Sequence, residues 1–255
     1  MATSEQANSK KNSVSETGHL KNVTHFEQLI ACCTGYGIAY QPSQQVFLLP
    51  QLTQIYNDAT EAITKVNARS NFFNQATGTR QTVYEPLKPL ATRIYNALEA
   101  SGAPATSLKD ARTIINKLTG KRASTATPQP QTDGTPAPVQ ISVSQQSYDR
   151  LTDHLEKLIN LASIESSYNP NESNLKIASL NAYVIQLKAA NTAVIQAQRD
   201  LNNARMTRDN LLYTQPNNLV DVATGVKSYV KSVFGARSEA YRQISGLSFR
   251  KQLKK

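Results

Sequence analysis

The stretch Thr24-His25-Phe26-Glu27-Gln28-Leu29-Ile30 returns later in the chain as Asp153-His154-Leu155-Glu156-Lys157-Leu158-Ile159. Working outward, Tyr40-Gln41-Pro42 returns as Tyr168-Asn169-Pro170. Phe73-Asn74-Gln75-Ala76-Thr77-Gly78-Thr79-Arg80 returns as Leu201-Asn202-Asn203-Ala204-Arg205-Met206-Thr207-Arg208. Ala91-Thr92 pairs with Ala223-Thr224, and Ile115 and Leu118 pair with Ile244 and Leu247. The pairs are collinear at an offset of about 128 to 132 residues, and the offset drifts only at predicted loops. This order predicts one unit used twice.

Apolar residues recur at spacings of three and four almost throughout, the helical period, with no sustained alternation of period two. Each copy reads as four helices. Helix one covers 20–34 and 146–164, and helix two 45–76 and 173–212. Helix three covers 87–100 and 217–234, and helix four 107–119 and 237–248. Helix two carries Leu52, Ala59, Val66 and Phe73 in one copy and Leu180, Leu187, Val194 and Leu201 in the other. A row of Leu and Val every seven residues with Ala between suits closely packed, slightly supercoiled helices. The second of these rods would be ~60 Å long if unbroken, whereas Gly78 is a candidate break in the first. Pro86 and Pro89 sit at the start of helix three, where proline is tolerated. Ser107 and Ser238 read as N-caps.

The expected fold is therefore all-α: two tandem homologous up-and-down helical bundles of about four helices, joined by a linker rich in Pro, Thr and Gln. The boundaries read as a disordered tail over 1–18, repeats over 19–122 and 144–248, the linker over 123–143 and a basic tail over 249–255.

The chain has 255 residues, two cysteines, no tryptophan and a formal net charge of +10. Adjacent Cys32 and Cys33 exclude a disulfide framework and a four-cysteine zinc site. They point about 100° apart on a helix, so they read as buried thiols rather than an ion clamp. No apolar run reaches the ~20 residues of a membrane helix. The polar, Ser-rich opening with Glu5 and Glu16 reads as neither a secretion signal nor a transit peptide, so the expected compartment is the cytoplasm.

The residues that could carry chemistry are few. His25 and His154 occupy equivalent positions without a ligand partner at metal spacing, and read as helix-surface or boundary histidines. His19 has no partner that sequence identifies. Gly35-Tyr36-Gly37 lacks the Lys and the strand of a phosphate loop and reads as a helix end. Arg80 and Arg208 close the seven-residue ladders and read as helix-end groups paired with a carbonyl or with Glu85 or Asp209. No nucleophile–base constellation can be assembled. The expectation is no enzyme, no metal and no cofactor, with no small-molecule substrate evident.

The positive charge is concentrated. Lys109, Arg112, Lys117, Lys121 and Arg122 stand against Asp110 at the end of the first copy. Lys227, Lys231, Arg237, Arg242, Arg250, Lys251, Lys254 and Lys255 stand against Glu239 at the end of the second. Lys117, Lys121, Arg122, Arg242, Arg250, Lys251, Lys254 and Lys255 are the candidate anion- or partner-binding residues. Against this stands the reading that they compensate helix dipoles and solubilise a tail. Phe249 and Leu253 interleave with the last bases, but the aromatic density of a base-stacking platform is missing.

Ser15-Glu16-Thr17-Gly18-His19-Leu20-Lys21-Asn22, Cys33-Thr34-Gly35-Tyr36-Gly37, Tyr168-Asn169-Pro170-Asn171-Glu172 and Val233-Phe234-Gly235-Ala236, in this two-copy layout, resemble a group of helical proteins found in Bacteroidota. The resemblance covers most of the chain outside the first dozen residues and the linker. It implies a bacterial cytoplasmic protein. No activity is assigned to the group, so no functional residue transfers. The leading functional expectation is a non-catalytic structural, scaffolding or interaction protein that binds a protein partner or itself. The alternative is a non-sequence-specific nucleic-acid- or ribosome-associated protein using the basic fourth helices and the tail. A membrane partner is disfavoured, because helix four lacks a strong apolar face.

Overall fold

A computed structural model describes residues 16–121 and 146–251. The expected linker, Arg122, Lys254, Lys255 and most of the expected first tail lie outside the described residues. Within them every element is helical. α1 spans Glu16–Gly35, α2 Leu49–Tyr84, α3 Leu87–Ala100 and α4 Ala105–Thr119. α5 spans Tyr148–Ile164, α6 Ile177–Asp209, α7 Leu219–Phe234 and α8 Glu239–Ser245. No helix among the described residues is long and apolar enough to cross a membrane.

Several boundaries differ from the sequence reading, each for a local reason. α1 begins at Glu16, inside the segment expected to be a disordered tail, because His19, Asn22 and Val23 are buried and anchor its first turns. α2 runs 36 residues without a break at Gly78. A glycine inside a helix costs about 1 kcal/mol against alanine, too little to interrupt a helix whose following turns are held by Arg80 on the Tyr148 ring and by buried Tyr84. Ser238 caps α8 as expected, accepting from Tyr241 N–H at 3.1 Å. Ser107 does not cap α4. The cap residue is Pro104, and the Ser107 hydroxyl donates to Glu165 instead.

The largest difference is in the division of the chain. Its two compact units are not 19–122 and 144–248. One unit comprises 1–71 with 199–255, and the other comprises 72–198. The first core joins Phe26, Leu29 and Cys33 of α1 and Leu52 and Ala59 of α2 with Leu219, Ala223, Val226 and Val230 of α7 and Ile244 of α8. The second joins Leu87, Ile94 and Leu98 of α3 and Leu118 of α4 with Leu155, Leu158 and Ile159 of α5 and Leu180 and Leu187 of α6. Each unit thus takes its first helix from one half of the sequence and its third and fourth from the other. Fully burying each Leu or Ile contributes about 1.5–3 kcal/mol, and each core is completed by residues of the other half.

The seven-residue ladder predicted on α6 is buried along its whole length, at Leu180, Leu187, Val194 and Leu201. On α2 it is buried at Leu52, Ala59 and Val66, while Phe73 is half-buried. After Asp209 the helix widens into a π-turn, Asn210–Thr214, that buries Leu212 and Tyr213. The first unit is closed by the segment after α8. Asn22 of α1 accepts from Arg250 N–H at 3.2 Å and donates to Arg250 C=O at 2.8 Å. Lys227 donates to the carbonyls of Ser245 and Leu247, at 3.0 and 2.7 Å. Residues 249–251, expected in a free tail, are therefore held against α1 and α7.

A protease site placed between residues 123 and 143 tests this interleaving. After cleavage the two pieces are expected to co-elute on gel filtration and to unfold together. Pieces that separate in native buffer would contradict a core built from both halves.

Candidate functional site

In the unit formed by 72–198, the loop after α5 folds back on itself. Tyr168 is buried, and its hydroxyl donates to the Leu175 carbonyl at 2.9 Å. A single 3-10 turn, Ser173–Leu175, then leads into α6. This loop faces α3. Between them lies an open cleft of about 570 Å³ lined by Arg93 and Asn96 of α3, by Ser101 that caps it, and by Ser167, Asn169, Pro170, Asn171 and Glu172 from the loop. Arg93 donates to Asn174 Oδ1 at 3.1 Å and so sits at the rim. The cleft offers one cation, one carboxylate and several amides and hydroxyls, a set suited to hydrogen-bonded recognition of a polar segment.

In the unit formed by 1–71 and 199–255, the loop after α1 does the same. The Tyr40 hydroxyl donates to the Phe47 carbonyl at 2.8 Å, and a 3-10 turn, Gln45–Phe47, leads into α2. Gln41 N–H donates to the Tyr229 hydroxyl at 3.1 Å, and the Tyr40 and Tyr229 rings meet edge to face at 5.4 Å. This loop faces α7 across a cleft of about 400 Å³ lined by Pro42, Ser43, Gln44, Phe47, Gly225, Ser228, Tyr229 and Ser232. The Phe47 ring lies so close to α7 that a Cβ on Gly225 would stand 2.5 Å from its Cζ. Glycine there is a packing requirement.

Buried polar groups hold each unit together. In one, His19 Nδ1 and the Tyr213 hydroxyl share a 2.7 Å hydrogen bond, and Asn22 donates to the same hydroxyl at 3.2 Å. In the other, the Arg80 guanidinium lies 3.9 Å from the centroid of the Tyr148 ring and donates to Asn191 Oδ1 at 3.0 Å. Asn191 donates in turn to Asp149 at 2.6 Å, and the Tyr84 hydroxyl bonds Thr152 at 2.7 Å. Arg208 pairs with Asp209 at 2.8 Å, one of the partners proposed from sequence, whereas Arg80 does not take Glu85. His25 is a boundary residue whose Nδ1 meets the Ser248 carbonyl at 2.8 Å. His154, read as a surface or boundary residue, is instead buried in the core. Cys33 is fully buried, and burial pushes its thiol up to about 12.

The candidate cations fall in both units. Lys117 and Lys121 lie at the exposed end of α4 in one unit. In the other, Arg242 pairs with Glu239 at 3.6 Å and Lys251 with Asp221 at 3.0 Å, while Arg250 is exposed. The sequence reading missed the two clefts themselves. Their signal was the repeated Tyr-x-Pro, read only as a repeat marker. Among the described residues no group of three His, Cys, Asp or Glu side chains could hold a metal ion. In comparisons with known proteins, the chain matches no family model, no curated protein and no solved structure.

Gly225→Ala is expected to lower the urea midpoint by an amount worth about 1–3 kcal/mol, because Phe47 must move. Phe47→Leu, the residue type at Leu175, should restore much of the loss in the double variant. A second expectation concerns pH. Burial lowers the His154 pKa, Asp153 at 3.9 Å opposes this, and Lys117, Lys157 and Arg150 reinforce it. The unfolded chain therefore takes up the proton first, so this contribution to stability is present above about pH 6.5 and is lost as pH falls through the lower folded value. Unfolding free energy should fall on acidification from about pH 7 to 5, and His154→Gln should flatten that slope.

Proposed function

We propose that the chain is a non-catalytic interaction protein: a two-site scaffold made of two copies of one four-helix pattern whose helices are exchanged between the units. The observation that carries this reading is the correspondence of the two clefts. Pro42, Gln44 and Phe47 align with Pro170, Glu172 and Leu175, while Gly225, Ser228 and Ser232 align with Arg93, Asn96 and Ala100. Both loops are fastened by a Tyr hydroxyl on the carbonyl seven residues onward.

Other pairs support the copies. Arg80 precedes Tyr84 by four residues and Arg208 precedes Tyr213 by five. The π-turn absorbs the extra residue, as one-residue insertions into helices do, and each tyrosine still reaches the first helix of its unit.

The same backbone frame is dressed differently. One cleft carries Arg93 and Glu172 and the other carries hydroxyls beside Tyr229 and Phe47. Such clefts suit two different extended protein segments, and one chain engaging two partners gains avidity from the linkage. The exposed Lys117 and Lys121 favour a second reading, association with nucleic acid, whose affinity would fall steeply with salt.

The test is a native pull-down from the source cell, with and without nuclease, using wild type, Asn96→Arg for one cleft and Ser228→Arg for the other. Each substitution is expected to remove a distinct protein from the bound set while the thermal midpoint stays unchanged. A bound set that both variants retain sinks the reading, and one that nuclease abolishes favours the nucleic-acid alternative.

A further inference from the structure

A third cleft lies in the unit formed by 1–71 and 199–255, between α7, α8 and the segment that follows α8. It measures about 470 Å³. Lys227 and Lys231 reach it from successive turns of α7, and Arg250 from the closing segment. Tyr241, Ser248 and Phe249 complete the wall, and no carboxylate lines it. The acids of α7 and α8, Asp221 and Glu239, are engaged with Lys251 and Arg242. Lys231 and Arg250 carry no ion pair among the described residues, and both are exposed. Lys231 has only the Tyr241 ring, with its ammonium 5.8 Å from the centroid.

Lys227 differs from the other two. Two of its three ammonium donors go to the Ser245 and Leu247 carbonyls, which fixes the head group at the cleft wall and leaves one donor. Burial lowers its pKa, so a charged partner would regain what desolvation costs it. The closing segment is itself clamped through both backbone groups of Arg250 by Asn22, so the backbone from which the guanidinium extends is fixed. Three cations on a preformed wall without a carboxylate present the complement of a phosphate group: a planar fork for two oxygens and two point charges for the rest.

We propose that this cleft binds the phosphate group of a small phosphorylated molecule, with Lys227, Lys231 and Arg250 as its ligands. The volume accommodates a compact organic ligand rather than a polymer groove, and Tyr241 and Phe249 supply apolar faces beside the charge. Ser228 borders both this cleft and the one facing the Pro42–Phe47 loop, but none of the three cations lines that other cleft.

Isothermal titration with inorganic pyrophosphate, and separately with a 20-residue oligouridylate, tests the proposal on the full chain. Pyrophosphate is expected to bind saturably. The double variant Lys231→Gln/Arg250→Gln should weaken it by about tenfold or more, the scale of one lost charge-assisted contact. Lys117→Gln/Lys121→Gln, which removes the same charge from the other unit, should leave it unchanged. Ser248→Asp gives a second route to the same loss by adding an acid without removing any contact. The thermal midpoints report whether each variant is folded. Pyrophosphate heats that do not saturate, or equal weakening by the two charge pairs, would overturn the proposal. So would binding of oligouridylate alone, which would place the phosphate chemistry on a nucleic-acid backbone.

Discussion

Each core needs a helix from the other half of the sequence, and the rest of the structure depends on that constraint. Phe26, Leu29 and Cys33 make an apolar face on α1, and the residues that cover it lie on α7 and α8. Leu155, Leu158 and Ile159 make the matching face on α5, covered from α3 and α4. α2 and α6 enforce the exchange by continuing. Because α2 passes unbroken through Gly78 to Tyr84, its first turns belong to one core and its last to the other. The clefts beside the two Tyr-x-Pro loops inherit this: each is framed by a loop from one half and a helix from the other.

The parts legible in sequence were the local ones. A 3.6-residue period reports which face of a helix is apolar, so Leu180, Leu187, Val194 and Leu201 could be placed on a buried seam before any coordinates. Helix ends marked by proline, such as Pro86 before α3, were equally readable. Partner choice was not. An apolar face read from periodicity fits any helix with a complementary face, and periodicity cannot choose between them. Gly78 showed the same limit from the other side. Its intrinsic cost was readable, but the packing of its neighbours, which outweighs that cost, was not.

The polar residues follow the same division. Arg208 beside Asp209 is a sequence neighbour and was foreseeable, whereas His19 and Tyr213 are far apart in the chain and meet only because α1 and the π-turn share a core. Lys227 was counted as one more cation of a basic segment, yet two carbonyls fix its ammonium. The charge that sequence assigned to a free tail is partly structural, since the backbone of Arg250 is bound on both sides by Asn22.

The Asn22 clamp also bears on the order of events during synthesis. α1 leaves the ribosome well before the residues that cover it, Leu219 to Arg250. At about 5–20 residues per second, its apolar face waits on the order of ten to forty seconds for them. The unit formed by 72–198 waits a shorter time, since its helices lie closer together in the chain. The nascent chain therefore carries one finished unit and one exposed helix, and the exposed Phe26–Leu29 face is where a holding chaperone would be needed.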